Sequence, residues 1–382
     1  VEHTYKVGIS GSYGGFNLGD EAILQSIIRR LRATIPVEIT VFSRNAEDTR
    51  KRRDVDHAVP VRHLLRSEVV REIKGLDLFI LGGGGILFDG EAEIFMREVL
   101  LAHELGIPVM VYAVSAGPLT KRAVIEMVHN GLNGAAAITV RDRGAKRILE
   151  DIGVTPDIQV TADPALLLEP EPIANDILLK ERMDGDRRLV GISVREPGPA
   201  APDIDRDSYH GLLANAADYM VDRYHADVVF IPMERQMQDV QNSHAVLSKM
   251  LRPQHAWVLK GEYTAGQLLS LMGHLDFALG MRLHFLIFAA IQNVPFVALP
   301  YSPKVQYFVQ EFNIDMPPIH LVNAGRLIAH IDYSFDTQDA LRSRIRELRP
   351  GMEERARMNN RIAIGVLKGD YAKPDPAKKQ NC

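Results

Sequence analysis

Cysteine is all but missing from this chain of 382 residues; the one present, Cys382, is the last residue. No disulfide can form within the chain and no cysteine-based metal site is available, which fits a reducing compartment. Long apolar runs are missing too. None approaches the ~18 residues that a membrane-spanning helix needs, because His, Gln or Pro breaks the longest candidates. The opening residues, VEHTYKVGIS, lack the basic-then-apolar pattern of a signal peptide. The expectation is a cytoplasmic protein with no transmembrane segment. Neither sign of charge dominates: 45 Lys and Arg stand against 49 Asp and Glu, a net charge of −4. That leaves no global field for nucleic acid. The 13 histidines form no HExxH or comparable pair, so no metal site is expected. One basic cluster, Arg50-Lys51-Arg52-Arg53, is followed by Asp54 and Asp56. It reads as a solvated face, or as a contact with an anionic substrate or the inner face of a membrane.

What is present is an ordinary globular composition, 46% hydrophobic and 25% charged, on a chain long enough for two domains. Residues 6–10 read as a buried strand running into the turn GSYGGFNLGD. From there Ile23, Leu24, Ile27, Ile28 and Leu31 recur at helical spacing. A glycine-rich strand-to-helix turn lets backbone N–H groups face a ligand. It is neither GxGxxG nor a P-loop, since no Gly-Lys-Ser/Thr follows. Asn17 and Asp20 in this turn are either helix caps or contacts to a ligand, a sugar hydroxyl as readily as a phosphate. Further strands are expected at 37–43, 76–81, 108–114, 136–140 and 158–161, alternating with helices. They end respectively in Ser43, in the run Gly82 to Gly85, in Ser115-Ala116-Gly117-Pro118, in Arg141-Asp142 and in Asp163. Four consecutive glycines cost conformational entropy, so Gly83 and Gly84 imply that a ligand or another backbone comes close.

After a Pro- and charge-rich stretch the pattern restarts, with strands at 189–194, 227–231, 257–259, 277–279 and 295–299. Apolar strands alternating with helices indicate parallel sheets covered on both faces, with ligands beyond the strands' carboxyl ends. The expected fold class is α/β: two Rossmann-like, doubly wound parallel-sheet domains facing across a cleft, a GT-B-like architecture. The expected boundaries are 1–168 for the first domain, on the acceptor side with Arg141 reaching the donor, and 169–187 for a linker. The second, donor-side domain takes 188–337, and 338–382 holds a C-terminal helix able to pack back on the first domain, with a disordered tail.

The stretch GMRLHFLIFAAIQNVPFVALPYSPK, residues 280–304, organises the chemistry. It sets Arg282 and His284 at one bend, Tyr301 and Lys304 at the next, with an apolar helix and a strand between. With Arg141 and Arg195 it supplies several cations at strand ends, suited to a small acid bearing carboxylate and phosphate. The competing reading for each is a structural ion pair, Arg141 with Asp142 and Arg195 with Glu196. His284, beside an apolar run, is either a satisfied core or capping group or, between cations at a helix start, a neutral imidazole able to act as base or donor. Asp20 and Asp163 are carboxylate candidates for acceptor hydroxyls, although Asp163 before Pro164 also suits a capping turn. Ser115 and Glu234, at strand ends, complete the substrate-binding candidates.

Four stretches together resemble one family: GSYGGFNLGDEAIL, LGGGGILFD, the strand ends SAGP and TVRD, and GMRLHFLIFAA with VPFVALPYSPKV. They resemble the polysaccharide pyruvyl transferases, the CsaB-like members in particular, over residues 6–310. The resemblance implies phosphoenolpyruvate as co-substrate, no cofactor, and transfer of pyruvate as a ketal across two hydroxyls of a sugar. The acceptor would be a cell-wall or exopolysaccharide precursor, whether free, nucleotide-bound or lipid-linked. It implies donor-site roles for Arg141, His284 and Lys304, with Arg195 in ISVRE a further candidate. A GT-B glycosyltransferase using a nucleotide-sugar, and a non-catalytic sugar- or phosphate-binding protein, are the rival readings. Oligomeric state, a homo-oligomer included, stays open.

Overall fold

Runs of β-branched and aromatic residues bounded by Gly, Asp and Pro set the strands of this protein. A computed structural model describes residues 3–196, 205–235 and 238–371. The loop expected after Glu196 and the tail with Cys382 lie outside those residues. The chain divides into two units, the first comprising Val1–Gly15, Asp20–Leu167 and Met352–Cys382, the second Phe16–Gly19 and Leu168–Gly351.

Unit 1 carries β1 (Tyr5–Ser10), β2 (Val37–Ser43), β3 (His57–Pro60), β4 (Leu78–Leu81), β5 (Gly84–Leu87), β6 (Val109–Ala116), β7 (Ala137–Val140) and β8 (Ile158–Val160). They form one eight-stranded sheet in the order β3-β2-β1-β4-β6-β7-β8, with β5 on β6. The pairings are all parallel. Strands such as Leu78–Leu81 are buried along their whole length, as a sheet covered on both faces requires. Chain order reverses between β1 and β4, which places the switch point beside Ser10 and Leu81, whose Cα atoms are register partners.

Unit 2 carries β9 (Arg188–Ser193), β10 (Ala226–Phe230), β11 (Ala256–Val258), β12 (Phe277–Gly280) and β13 (Phe296–Ala298). This sheet is also parallel, in the order β11-β10-β9-β12-β13, with its switch point between β9 and β12. Both units are therefore parallel-sheet α/β folds, the Rossmann-like class.

Several local expectations need revision. Residues 169–187, expected as a linker, are folded in part. They carry the helix Asn175–Lys180, and the buried Glu181 accepts from the backbone of Lys260 (2.9 Å) and Gly261 (2.7 Å) and from the Tyr263 hydroxyl (2.6 Å). Those three bonds fix the segment in unit 2. The basic cluster sits on and after the helix Ala46–Arg52. Arg52 pairs with Asp48 one turn earlier (2.7 Å), and Arg53 is buried against Glu21 (3.0 Å). Only Arg50 and Lys51 of the four are exposed. The final helix, Gln338–Lys368, belongs to unit 1 from Met352 onward. There Asn359 accepts from the Thr161 hydroxyl at 2.8 Å and donates to the Ala162 carbonyl at 3.3 Å. No helix among the described residues is long and apolar enough to cross a membrane.

Candidate functional site

In unit 2 the register alone aligns three strand ends. Gly280 of β12 is the partner of Ser193 in β9 and of Ala298 in β13, so the three lie side by side about 4.8 Å apart. Two residues beyond the first two come Arg195 and Arg282, and three beyond the last comes Tyr301. His284 and Lys304 follow on helices Leu283–Ile291 and Pro303–Gln310.

Helix Leu283–Ile291 is apolar apart from His284, and Leu283 and residues 285–290 are buried. Each such Leu, Ile or Phe contributes about 1.5–3 kcal/mol by leaving water, so the backbone under His284 is held firmly. The imidazole is partly buried against Gly19. Arg195 donates to the Tyr301 hydroxyl at 2.6 Å and stacks on its ring, 4.7 Å from the centroid. The Lys304 ammonium lies 5.8 Å from the same centroid. Burial would raise the Tyr301 phenol, but Lys304, Arg195 and Arg282 outweigh it and bring the pKa down to about 8. The Ser193 and Ser302 hydroxyls at these strand ends are buried and have no hydrogen-bond partner among the described residues.

Arg282 is more enclosed than Arg195 and Lys304. Its Nη2 and Nε donate to Asp239 at 2.6 and 3.1 Å, and its Nη1 meets Glu234 at 2.9 Å. Burial opposes the Arg282 charge, yet Asp239 and Glu234 hold the guanidinium above its ordinary value. Burial likewise pushes the Asp239 carboxyl up, only partly offset by Arg282. Arg282 and Glu234, both expected to bind substrate, thus spend their polar atoms on each other and on Asp239. Asn17 forms an isolated bridge with Glu234 and caps locally, its Oδ1 accepting from Gly19 N–H at 3.0 Å.

In unit 1 the register aligns Gly84 with Val114, Val114 with Val140, and Val140 with Val160. Ser115, Arg141 and Asp163 lie just beyond. Arg141 pairs with Asp163 at 2.7 Å, both side chains nearly fully buried; the expected partner Asp142 instead caps helix Arg143–Asp151 and accepts from Ser115 at 2.6 Å. Likewise Glu196 pairs with Arg206 rather than Arg195. Asp163 also accepts from Ala165 N–H at 2.9 Å, the capping role foreseen for it. The Arg141 Nε is buried with no hydrogen-bond partner among the described residues, which leaves a donor in reserve.

The glycine run is close to its own fold. A Cβ at Gly83 would lie 3.1 Å from Ile23 and 3.2 Å from the Ala113 carbonyl, and one at Gly82 would collide with the Tyr13 hydroxyl. Gly84 adopts φ +103° with the Asp20 carboxylate beside it. Tyr13, which the sequence did not single out, is fully buried with its hydroxyl unpartnered among the described residues. Burial, with Asp20 and Glu21 adding to it, raises its phenol well above the ordinary value. A tyrosine in a glycine turn carries no spacing signal, so only the structure could find it.

Known structures share the architecture at low identity. A putative UDP-N-acetylglucosamine 2-epimerase from Listeria monocytogenes is 13% identical with a TM-score of 0.66, covering 98% of this chain and 99% of its own. An S. aureus MnaA–UDP complex is 11% identical with a TM-score of 0.67, covering 97% and 99%. A glycosyltransferase from Rickettsia africae is 12% identical with a TM-score of 0.63, covering 96% and 99%. These likenesses establish the GT-B-like fold. No protein of curated function matches the sequence. A family profile described as polysaccharide pyruvyl transferase does match, over residues 17–303. That span takes in the turn at Asn17, the strand ends of both units and the His284 helix, and the chain belongs to the polysaccharide pyruvyl transferase family.

Proposed function

We propose that this protein transfers the pyruvyl group of phosphoenolpyruvate onto two hydroxyls of a sugar, as a ketal, with release of phosphate. The observation that carries the reading is the set Arg195, His284 and Lys304 at three adjacent, in-register strand ends of unit 2. The acceptor is a cell-wall or exopolysaccharide precursor, and no cofactor is required. The protein works in the cytoplasm, at the inner membrane face if the acceptor is lipid-linked.

Ketal formation needs three things from a protein. The methylene carbon of phosphoenolpyruvate must gain a proton, the resulting oxocarbenium-like centre must be met by a sugar hydroxyl, and a second hydroxyl must displace phosphate. Arg195 and Lys304 hold the carboxylate and phosphate, which provides positioning and stabilises the leaving group. In unit 1, Arg141 offers its spare Nε donor as a further anion contact. His284 accepts the proton of the attacking hydroxyl. On the acceptor side Asp20 and Asp163 orient hydroxyls, with Asn17, Gly83, Gly84 and Ser115 contributing contacts. Arg282 and Glu234, paired with each other in unit 2, complete the substrate-binding candidates.

The test combines two measurements. Phosphoenolpyruvate at ~100 times its Kd stabilises the native state by ~2.7 kcal/mol if it binds only that state, so a rise in Tm is expected. Phosphate must then appear from phosphoenolpyruvate only when a sugar acceptor is present. No thermal shift at millimolar phosphoenolpyruvate, or nucleotide release from a sugar nucleotide instead, would overturn the reading.

A further inference from the structure

Tyr301 stands where three positively charged side chains converge. It follows β13 and is 7% exposed, with Arg195 after β9 and Lys304 on the helix Pro303–Gln310 as its hydrogen-bond partners among the described residues. A phenol oxygen both donates and accepts, whereas guanidinium and ammonium groups only donate. Neither partner can take the phenolic proton. The oxygen is therefore solvated as an anion would be, while its own hydrogen has no acceptor in that pair. Tyr209, also buried, instead donates its phenolic proton to Met281.

We infer that Tyr301 is the general acid that protonates the methylene carbon of phosphoenolpyruvate. The step rests on the reading of the site as a pyruvyl-transfer centre. The C2–C3 π pair of the donor takes the phenolic proton, making C3 a methyl group and C2 an electron-deficient, oxygen-stabilised carbon. The O–H pair stays on Tyr301 as a tyrosinate, held by Arg195 and Lys304. His284 takes the proton of the first attacking hydroxyl, the proton of the second leaves with the phosphate, and Tyr301 then regains its own from solvent. The charges around the phenol suit this work. Lys304, Arg195 and Arg282 act against burial and bring it down to about 8, so it is protonated at neutral pH yet leaves a tolerable anion. Two acids, Glu234 and Asp239, temper this field from behind Arg282.

The experiment compares the wild type with Tyr301→Phe, which keeps the ring on which Arg195 stacks. Tyrosinate absorbance is titrated in both, and the difference isolates one of the chain's 11 tyrosines. One group with a midpoint near 8 is expected in the wild type only, and Lys304→Met should raise that midpoint. Phosphoenolpyruvate should still raise the Tm of Tyr301→Phe, while kcat falls ~10²–10⁴-fold, the usual contribution of a positioned acid. The alkaline limb of the kcat profile should vanish from the residual activity. A Tyr301→Phe enzyme within threefold of wild-type kcat would overturn the assignment while leaving pyruvyl transfer standing. A midpoint near the ordinary value of ~10 would overturn it as well. If the wild type itself neither binds phosphoenolpyruvate nor releases phosphate from it, pyruvyl transfer fails, and this role falls with it.

Discussion

The imidazole of His284 occupies the space that a side chain at Gly19 would need: a Cβ there would lie 1.9 Å from its Nδ1. The two residues lie 265 positions apart in sequence terms (284 − 19), yet both belong to unit 2. Gly19→Ala must therefore rotate His284 or shift helix Leu283–Ile291. Misplacing a catalytic group by ~1 Å costs roughly 10²-fold. Gly19→Ala is expected to lower kcat by that order while phosphoenolpyruvate still raises the Tm. Steady-state kinetics and a thermal-shift titration on the same variant check both halves.

Arg282 makes the opposite kind of prediction. Removing it leaves Asp239 and Glu234 without their cation, and breaking a buried pair costs about 3–5 kcal/mol. Arg282→Ala should lower the urea midpoint accordingly. The double variant Arg282→Met with Asp239→Leu should recover part of the loss, since no buried charge is then left alone at position 239. Equal destabilisation in the single and double variants would count against this account.

Stability should carry a signature of Tyr301 in alkaline solution. The folded phenol ionises at about 8, the unfolded one at ~10. Between those values the unfolded chain holds the proton more tightly, so stability rises with pH from 8 towards 10. The gain is lost as pH falls through about 8. Urea unfolding at several pH values should show this rise in the wild type, and less of it in Tyr301→Phe.

Asn359 tests the attachment of the final helix to unit 1. It is fully buried and bonds to Thr161 and to the Ala162 carbonyl. Leaving such polar atoms unpaired costs ~1–3 kcal/mol. Asn359→Leu should lower the Tm by several degrees in calorimetry, given the ~2–4 °C per kcal/mol typical of units this large.

The strands of both sheets were legible because a parallel sheet buried on both faces writes long apolar runs. Val37–Ser43 was found to the residue, and Leu78–Leu81 within two. β5 was not, because its first residues are glycines that signal a turn, and their strand character comes from the pairing with β6. β3 is four residues long with only its central pair buried, too short for a periodic signal. Candidate cations could be named from strand ends, but their partners could not. Arg141 meets Asp163 rather than its neighbour, and Arg195 meets Tyr301, 106 residues away. Strand order and register decide those pairings, and neither is written locally.

The division of the chain also bears on how the protein is made. Unit 1 is begun by the first residues and completed only from Met352 onward, after all of residues 168–351. At synthesis rates of ~5–20 residues per second, that interval lasts roughly 10–40 s. Throughout it the Thr161 hydroxyl and the floor beneath Asn359 await a helix not yet translated. A ribosome stalled in that window would hold an incomplete first unit, a natural client for a chaperone.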